Sequence, residues 1–159
     1  MENLEEAIQL RSEGKLEKSN ALLSNLVLKF PDNALVNYQY AWSFDVLGLE
    51  ADAVPYYEKA IQLGLDDTNA IGAFIGLGSS YRALGKYNKS KTVLEKGIER
   101  FPENNAVKTF YAMTLYNVGE HREAIEILLT SLAYTTNDSE ILSYKRAIEF
   151  YADKLDKTW

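Results

Sequence analysis

Cysteine is absent from the 159-residue sequence, which excludes disulfides, thiol catalysis and cysteine-ligated zinc and fits a reducing cytoplasm. Histidine occurs once, at His121, so there is no His pair for a zinc-binding helix and no catalytic triad. Three prolines and nine glycines leave little material for a loop-rich β fold, and the prolines are expected where helices stop. Clustered positive charge is missing too. The 17 Lys and Arg are scattered among 23 Asp and Glu, for a net charge of −6, whereas a phosphate backbone needs a concentrated basic surface. This balance argues against nucleic acid and against an anionic membrane surface as ligands. The longest weakly polar run, Ala70 to Gly78, is far short of the roughly 20 residues that cross a bilayer. The opening Met1-Glu2-Asn3-Leu4-Glu5-Glu6 carries acids where an export or mitochondrial leader carries Lys or Arg, so a cytoplasmic setting is expected.

Against these absences, 47% hydrophobic and 12% aromatic residues are ample for a core. The phrases Phe30-Pro31-Asp32-Asn33 and Phe101-Pro102-Glu103-Asn104 stand 71 residues apart. Glycines recur at 14, 48, 85 and 119, with spacings of 34, 37 and 34. A period near 34 marks stacked helical hairpins. Apolar residues keep the three-and-four spacing of a helix face in each unit: Tyr40, Ala41, Phe44 and Leu47; Leu77, Gly78, Tyr81 and Leu84; Tyr111, Ala112, Leu115 and Val118. The following helices repeat it through Ala53, Tyr57 and Ala60, through Ser90, Leu94 and Gly97, and through Ala124, Leu128 and Ser131. No segment alternates as a strand does. Small residues stand seven before each loop glycine (Ala7, Ala41, Gly78, Ala112) and five after it (Ser19, Ala53, Ser90, Ala124), where two crossing helices need a position without bulk.

This pattern resembles the tetratricopeptide repeat family, most closely in Leu77-Gly78-Ser79-Ser80-Tyr81-Arg82-Ala83-Leu84-Gly85-Lys86-Tyr87, and the chain is similar to the family's small free-standing bacterial members. The resemblance implies an all-α, right-handed superhelical stack of about four repeats, at about 1–33, 34–67, 68–104 and 105–137. Departures are visible. Asn3, Asn37 and Lys108 occupy a place that often holds Trp, while Leu65 and Thr136 replace the terminal Pro of units two and four, so looser junctions are expected there. Beyond Asn137 a single capping helix over 138–156 is expected, capped by Asn137 or Asp138, with Ile141, Tyr144, Ile148, Tyr151 and Leu155 as its apolar stripe. Phe150 and Trp159 fall off that stripe, which leaves a homodimer contact open.

The family commonly uses its concave face, lined by the first helix of each unit, to hold a peptide or a partner helix. By resemblance the groove positions are Leu4, Ile8 and Arg11; Tyr38, Trp42, Asp45 and Val46; Ile75, Ser79, Arg82 and Ala83; and Thr109, Met113, Tyr116 and Asn117. The Lys and Asn with which some members clamp a terminal carboxylate are not there, so an apolar or amphipathic segment is expected, anchored on Trp42 and Tyr38. The implied activity is that of a protein-interaction module, not an enzyme, without cofactor or metal; a self-associating scaffold is the alternative. Other motifs have plainer readings. Gly72, Gly76 and Gly78 lie inside a helical pattern and not between strand and helix, so close packing explains them better than phosphate binding. Asp66-Asp67 with Asn69 reads as a helix cap, and the paired glutamates as solvated faces.

Overall fold

A computed structural model describes residues 2–159, and they contain helices and no strand. Met1, where the first expected repeat begins, lies outside the described residues. Eight helices form four hairpins: α1 (Glu2–Ser12) with α2 (Leu16–Lys29), α3 (Ala34–Asp45) with α4 (Glu50–Leu63), α5 (Asp67–Ala83) with α6 (Tyr87–Arg100), and α7 (Asn105–Asn117) with α8 (His121–Thr135). Each helix packs on its neighbour in sequence. The odd-numbered helices α1, α3, α5 and α7 also pack on one another in turn, whereas α2, α4, α6 and α8 do not do so comparably. Helices that touch along one side and spread along the other curve the stack, with the odd-numbered set on the inner face.

Local chemistry sets where these helices begin and end. The Asn33 and Asn104 side chains accept hydrogen bonds from the amides of Val36 and Val107 at 3.0 and 2.9 Å, and Asp66 does the same for Asn69 at 3.1 Å. The glycine closing each odd-numbered helix has a φ between 71 and 88°, a region that a residue with a Cβ enters only at a cost. Pro31 and Pro102 follow α2 and α6 as expected, but Pro55 lies inside α4, on its exposed side.

The small residues sit at the helix crossings. Ala7, Ala41, Ser19, Ala53 and Ser90 are fully enclosed, and Ala112 and Ala124 nearly so. In two hairpins the two sets bond across the crossing: Ser19 Oγ donates to the Ala7 carbonyl and Ser90 Oγ to the Gly78 carbonyl, both at 2.7 Å. Leu23, Leu94, Leu115, Val36 and Val107 fill the flanks. Asn37, in the place that often holds Trp, is fully buried and donates to the carbonyls of Pro31 and Asn33 at 2.8 Å, tying the α2–α3 turn to α3.

Further expectations change. Leu4 is core and not groove, and Leu84 and Leu128 are exposed. The α4–α5 junction is closed without a proline, because Gly64 turns the chain at φ 89° and Leu65 is buried beneath Arg100, which donates to its carbonyl at 3.2 Å. The expected single capping helix is two short ones, α9 (Ser139–Ser143) and α10 (Lys145–Tyr151), separated at Tyr144. Asp138 caps α9, accepting from the amides of Glu140 and Ile141. Only α10 packs substantially on α8, and in this region Ala152 alone is buried.

Candidate functional site

The inner face carries a cavity of about 460 Å³ between α3, the start of α4, α5 and α7. Of the residues expected in the groove, Tyr38, Trp42, Asp45, Val46, Ile75, Ser79 and Ala83 line it. They converge because each occupies the same few offsets before a loop glycine, and those offsets share one face of successive inner helices.

Trp42 is the exposed aromatic of this cavity, with 40% of its surface accessible, and its ring centroid lies 5.9 Å from that of Tyr38. Tyr38 itself is only 6% exposed. Its hydroxyl lies over Gly72, and burial pushes its titration upward, so it supports the wall more than it offers a surface. Six lining residues were not foreseen there, Gly72, Gly76 and four side chains. Tyr57 of α4 passes over Gly76, Ser80 lies beside it, Glu50 comes from the first turn of α4 and Phe110 from α7. Gly72 and Gly76 are what let the two tyrosine rings reach α5, since a Cβ at either position would stand 2.1 Å from Tyr38 Oη or 2.4 Å from Tyr57 Cζ. The glycines were legible as close-packing sites; which side chain approaches them was not.

Asp45 is the polar centre of the cavity. Tyr57 Oη donates to one of its carboxylate oxygens at 2.6 Å and Ser80 Oγ to the other at 2.8 Å. Burial raises the Asp45 titration above the usual aspartate range, the two donors oppose that shift, and the charge of Glu50 adds to it. Tyr57, buried against the same carboxylate, is pushed far upward and stays a neutral donor.

Arg82, Thr109, Met113, Tyr116 and Asn117 lie outside the cavity. Arg82 reaches toward Asn117 Oδ1 at 3.5 Å, Thr109 donates to the Asn105 carbonyl at 2.7 Å, and Met113 is partly exposed. Tyr116 is 64% exposed and its ring lies 4.8 Å from that of His121, which also contacts the Tyr116 carbonyl. Arg11 sits at the other end of the groove, its guanidinium 3.9 Å from the Trp42 ring centroid and 2.6 Å from Gln39 Oε1. The glutamates of the outer face are partly engaged: Tyr111 donates to Glu95 at 3.0 Å and Tyr81 to Glu58. Among the described residues no group of His, Cys, Asp or Glu has the arrangement of a metal site, and no helix is long and apolar enough to cross a membrane.

A curved array of helical hairpins with a lined inner face is a repeat solenoid. The description tetratrico peptide repeat matches residues 34–155, and the chain belongs to that family. It is 31% identical over 94 residues to Superkiller protein 3 of Saccharomyces cerevisiae; the match covers 55% of this chain and 6% of that protein. Among solved structures, MamA superposes with a TM-score of 0.74 at 18% identity over 93% of this chain and 88% of that one. YrrB, described as a TPR protein with an unusual peptide-binding site, superposes with a TM-score of 0.66 at 19% identity over 98% and 91%. The family and its fold are in general those of protein–protein interaction adaptors and are typically non-catalytic.

Proposed function

We propose that this chain captures an apolar or amphipathic segment of a partner protein along its inner face, with Trp42 as the anchor, and that it works in the cytoplasm as a binding module and not as an enzyme. The observation that carries the reading is the cavity between α3, α5 and α7, walled by Trp42, Val46, Ile75 and Phe110. Concave, mostly apolar sites with a few placed polar groups are the usual form of a ligand site, and a half-exposed Trp adds much contact area at little entropic cost. Partners remain proteins or peptides by this reading, since nothing in the charge distribution suits nucleic acid.

The test is Trp42→Ala. Its ring lies at the cavity surface and not in the enclosed core, so the variant should lose at least tenfold in affinity for captured peptide, which is about 1.4 kcal/mol. Its circular dichroism should be that of the parent. A large fall in Tm with unchanged binding overturns the assignment. Glu95 is a poor outer-face control, because it accepts the Tyr111 hydroxyl; Glu99, exposed on the same helix, serves instead.

A further inference from the structure

We propose that the cavity beside Trp42 receives a basic side chain, lysine or arginine, carried by the segment that lies in the groove; this deepens the groove reading and rests on it. Two carboxylates, Asp45 and Glu50, line the cavity and no basic residue does. The nearby cations are turned elsewhere. Arg11 bonds Gln39 and lies over Trp42 in a neighbouring small cavity, and Arg82 points toward Asn117. Neither forms an ion pair with Asp45.

The two hydroxyls that serve Asp45 leave half its acceptor capacity open, because an ionised carboxylate offers about four lone-pair sites. A wholly apolar occupant would strip water from Asp45 and Glu50 and return nothing, and an acidic one would add repulsion. A lysine or arginine answers both parts of the wall. Its methylene stem lies along Val46, Ile75 and Phe110 while its head meets the carboxylates beside the Trp42 ring. Trp42 already accepts one cation, since Arg11 sits 3.9 Å from its centroid. Burial of Asp45, which raises its titration, points the same way: a cation entering the cavity relieves that strain on the charge.

The probe is a set of acetylated, amidated octapeptide pools, randomised except for one fixed position carrying lysine, arginine, norleucine or glutamate, measured against the intact protein by fluorescence anisotropy. Norleucine keeps nearly the length of lysine and removes its charge. The lysine and arginine pools should bind about tenfold tighter than the norleucine pool and the glutamate pool weakest. Asp45→Asn and Glu50→Gln should each shrink that preference, and Glu50→Lys should reverse it toward glutamate. Because Glu50 lies on the first, partly exposed turn of α4, its variants keep the test intact if Asp45→Asn misfolds. Equal binding of lysine and norleucine pools, still lost in Trp42→Ala, overturns the inference and leaves the groove reading standing. A basic preference that survives both acid replacements also overturns it. Binding by no pool overturns both.

Discussion

Gly76 has room for a hydrogen and nothing larger, since a Cβ there would meet two ring atoms and the hydroxyl oxygen of Tyr57 between 2.4 and 2.8 Å, and Asp45 holds that ring by its hydroxyl. Alanine gains about 1 kcal/mol in helix propensity over glycine, while overpacking costs about 1–3 kcal/mol. Gly76→Ala should therefore lower stability by up to about 2 kcal/mol in urea titration. At Gly72 the closest atom is the Tyr38 hydroxyl oxygen, so Gly72→Ala should cost less in a Tyr38→Phe background than alone; equal costs in both would mean the ring and not the hydroxyl decides. Asp45 adds a pH dependence. Its titration is raised in the fold, so the native state holds its proton more tightly than the unfolded chain. The associated stability is fully present below the usual aspartate value of about 4 and is lost as pH rises through the higher folded value. Asp45→Asn removes that loss, and the Tm difference between variant and parent should move in the variant's favour from pH 4 to pH 7. A constant difference would show that the carboxylate is not strained by burial. At this scale the sequence was partly legible. Trp42, Ile75 and Ser79 follow from their offset before a loop glycine. Tyr57 does not, because it reaches the cavity from the outer helix through a gap that exists only once α4 and α5 are packed.

Helices meet in this stack where side chains are shortest. Ala41 and Ala112 occupy equivalent crossings, one fully and one almost fully enclosed, with Phe44, Leu115 and the facing helices around them. Leucine at either position adds three carbons to a closed site, and Ala41→Leu and Ala112→Leu should each cost about 1–3 kcal/mol by urea or thermal denaturation. Neutral behaviour at both would show that these crossings are loose. The same register was readable in advance because each crossing stands seven residues before a loop glycine, so the glycines fix every crossing even where one spacing is 37 and not 34. The last helices escaped it. A regular apolar stripe over residues 141–155 suggested one helix, yet Ser143 Oγ donates to the Glu140 carbonyl at 2.6 Å and the amide of Tyr144 turns to the Ile141 carbonyl at 3.1 Å. Serine side chains that bond nearby backbone compete with helix continuation.

Across the whole molecule the two ends of the stack differ. The exposed side of α1 and α2 carries Glu5, Gln9, Glu17, Ala21 and Asn25, largely polar apart from Leu28, whereas Ile125, Leu128 and Leu132 of α8 and Leu142, Tyr144 and Leu155 beyond it are exposed apolar residues. Phe150, Tyr151 and Trp159 form one aromatic group with centroids 5.2 to 5.9 Å apart, and Trp159 is 73% exposed. α10 covers part of α8, and Arg122 of α8 pairs with Asp156. Terminal units of a solenoid need a polar outer side to remain monomeric, and apolar patches of several hundred Å² recruit other chains. Deleting residues 138–159 exposes the rest of the α8 face, so the shortened protein should aggregate or form new oligomers in size-exclusion chromatography with light scattering. A full-length dimer that becomes a soluble monomer on truncation would give these helices the opposite role: the aromatic group would be the contact between two copies, and the self-associating scaffold reading would gain at the expense of the adaptor reading.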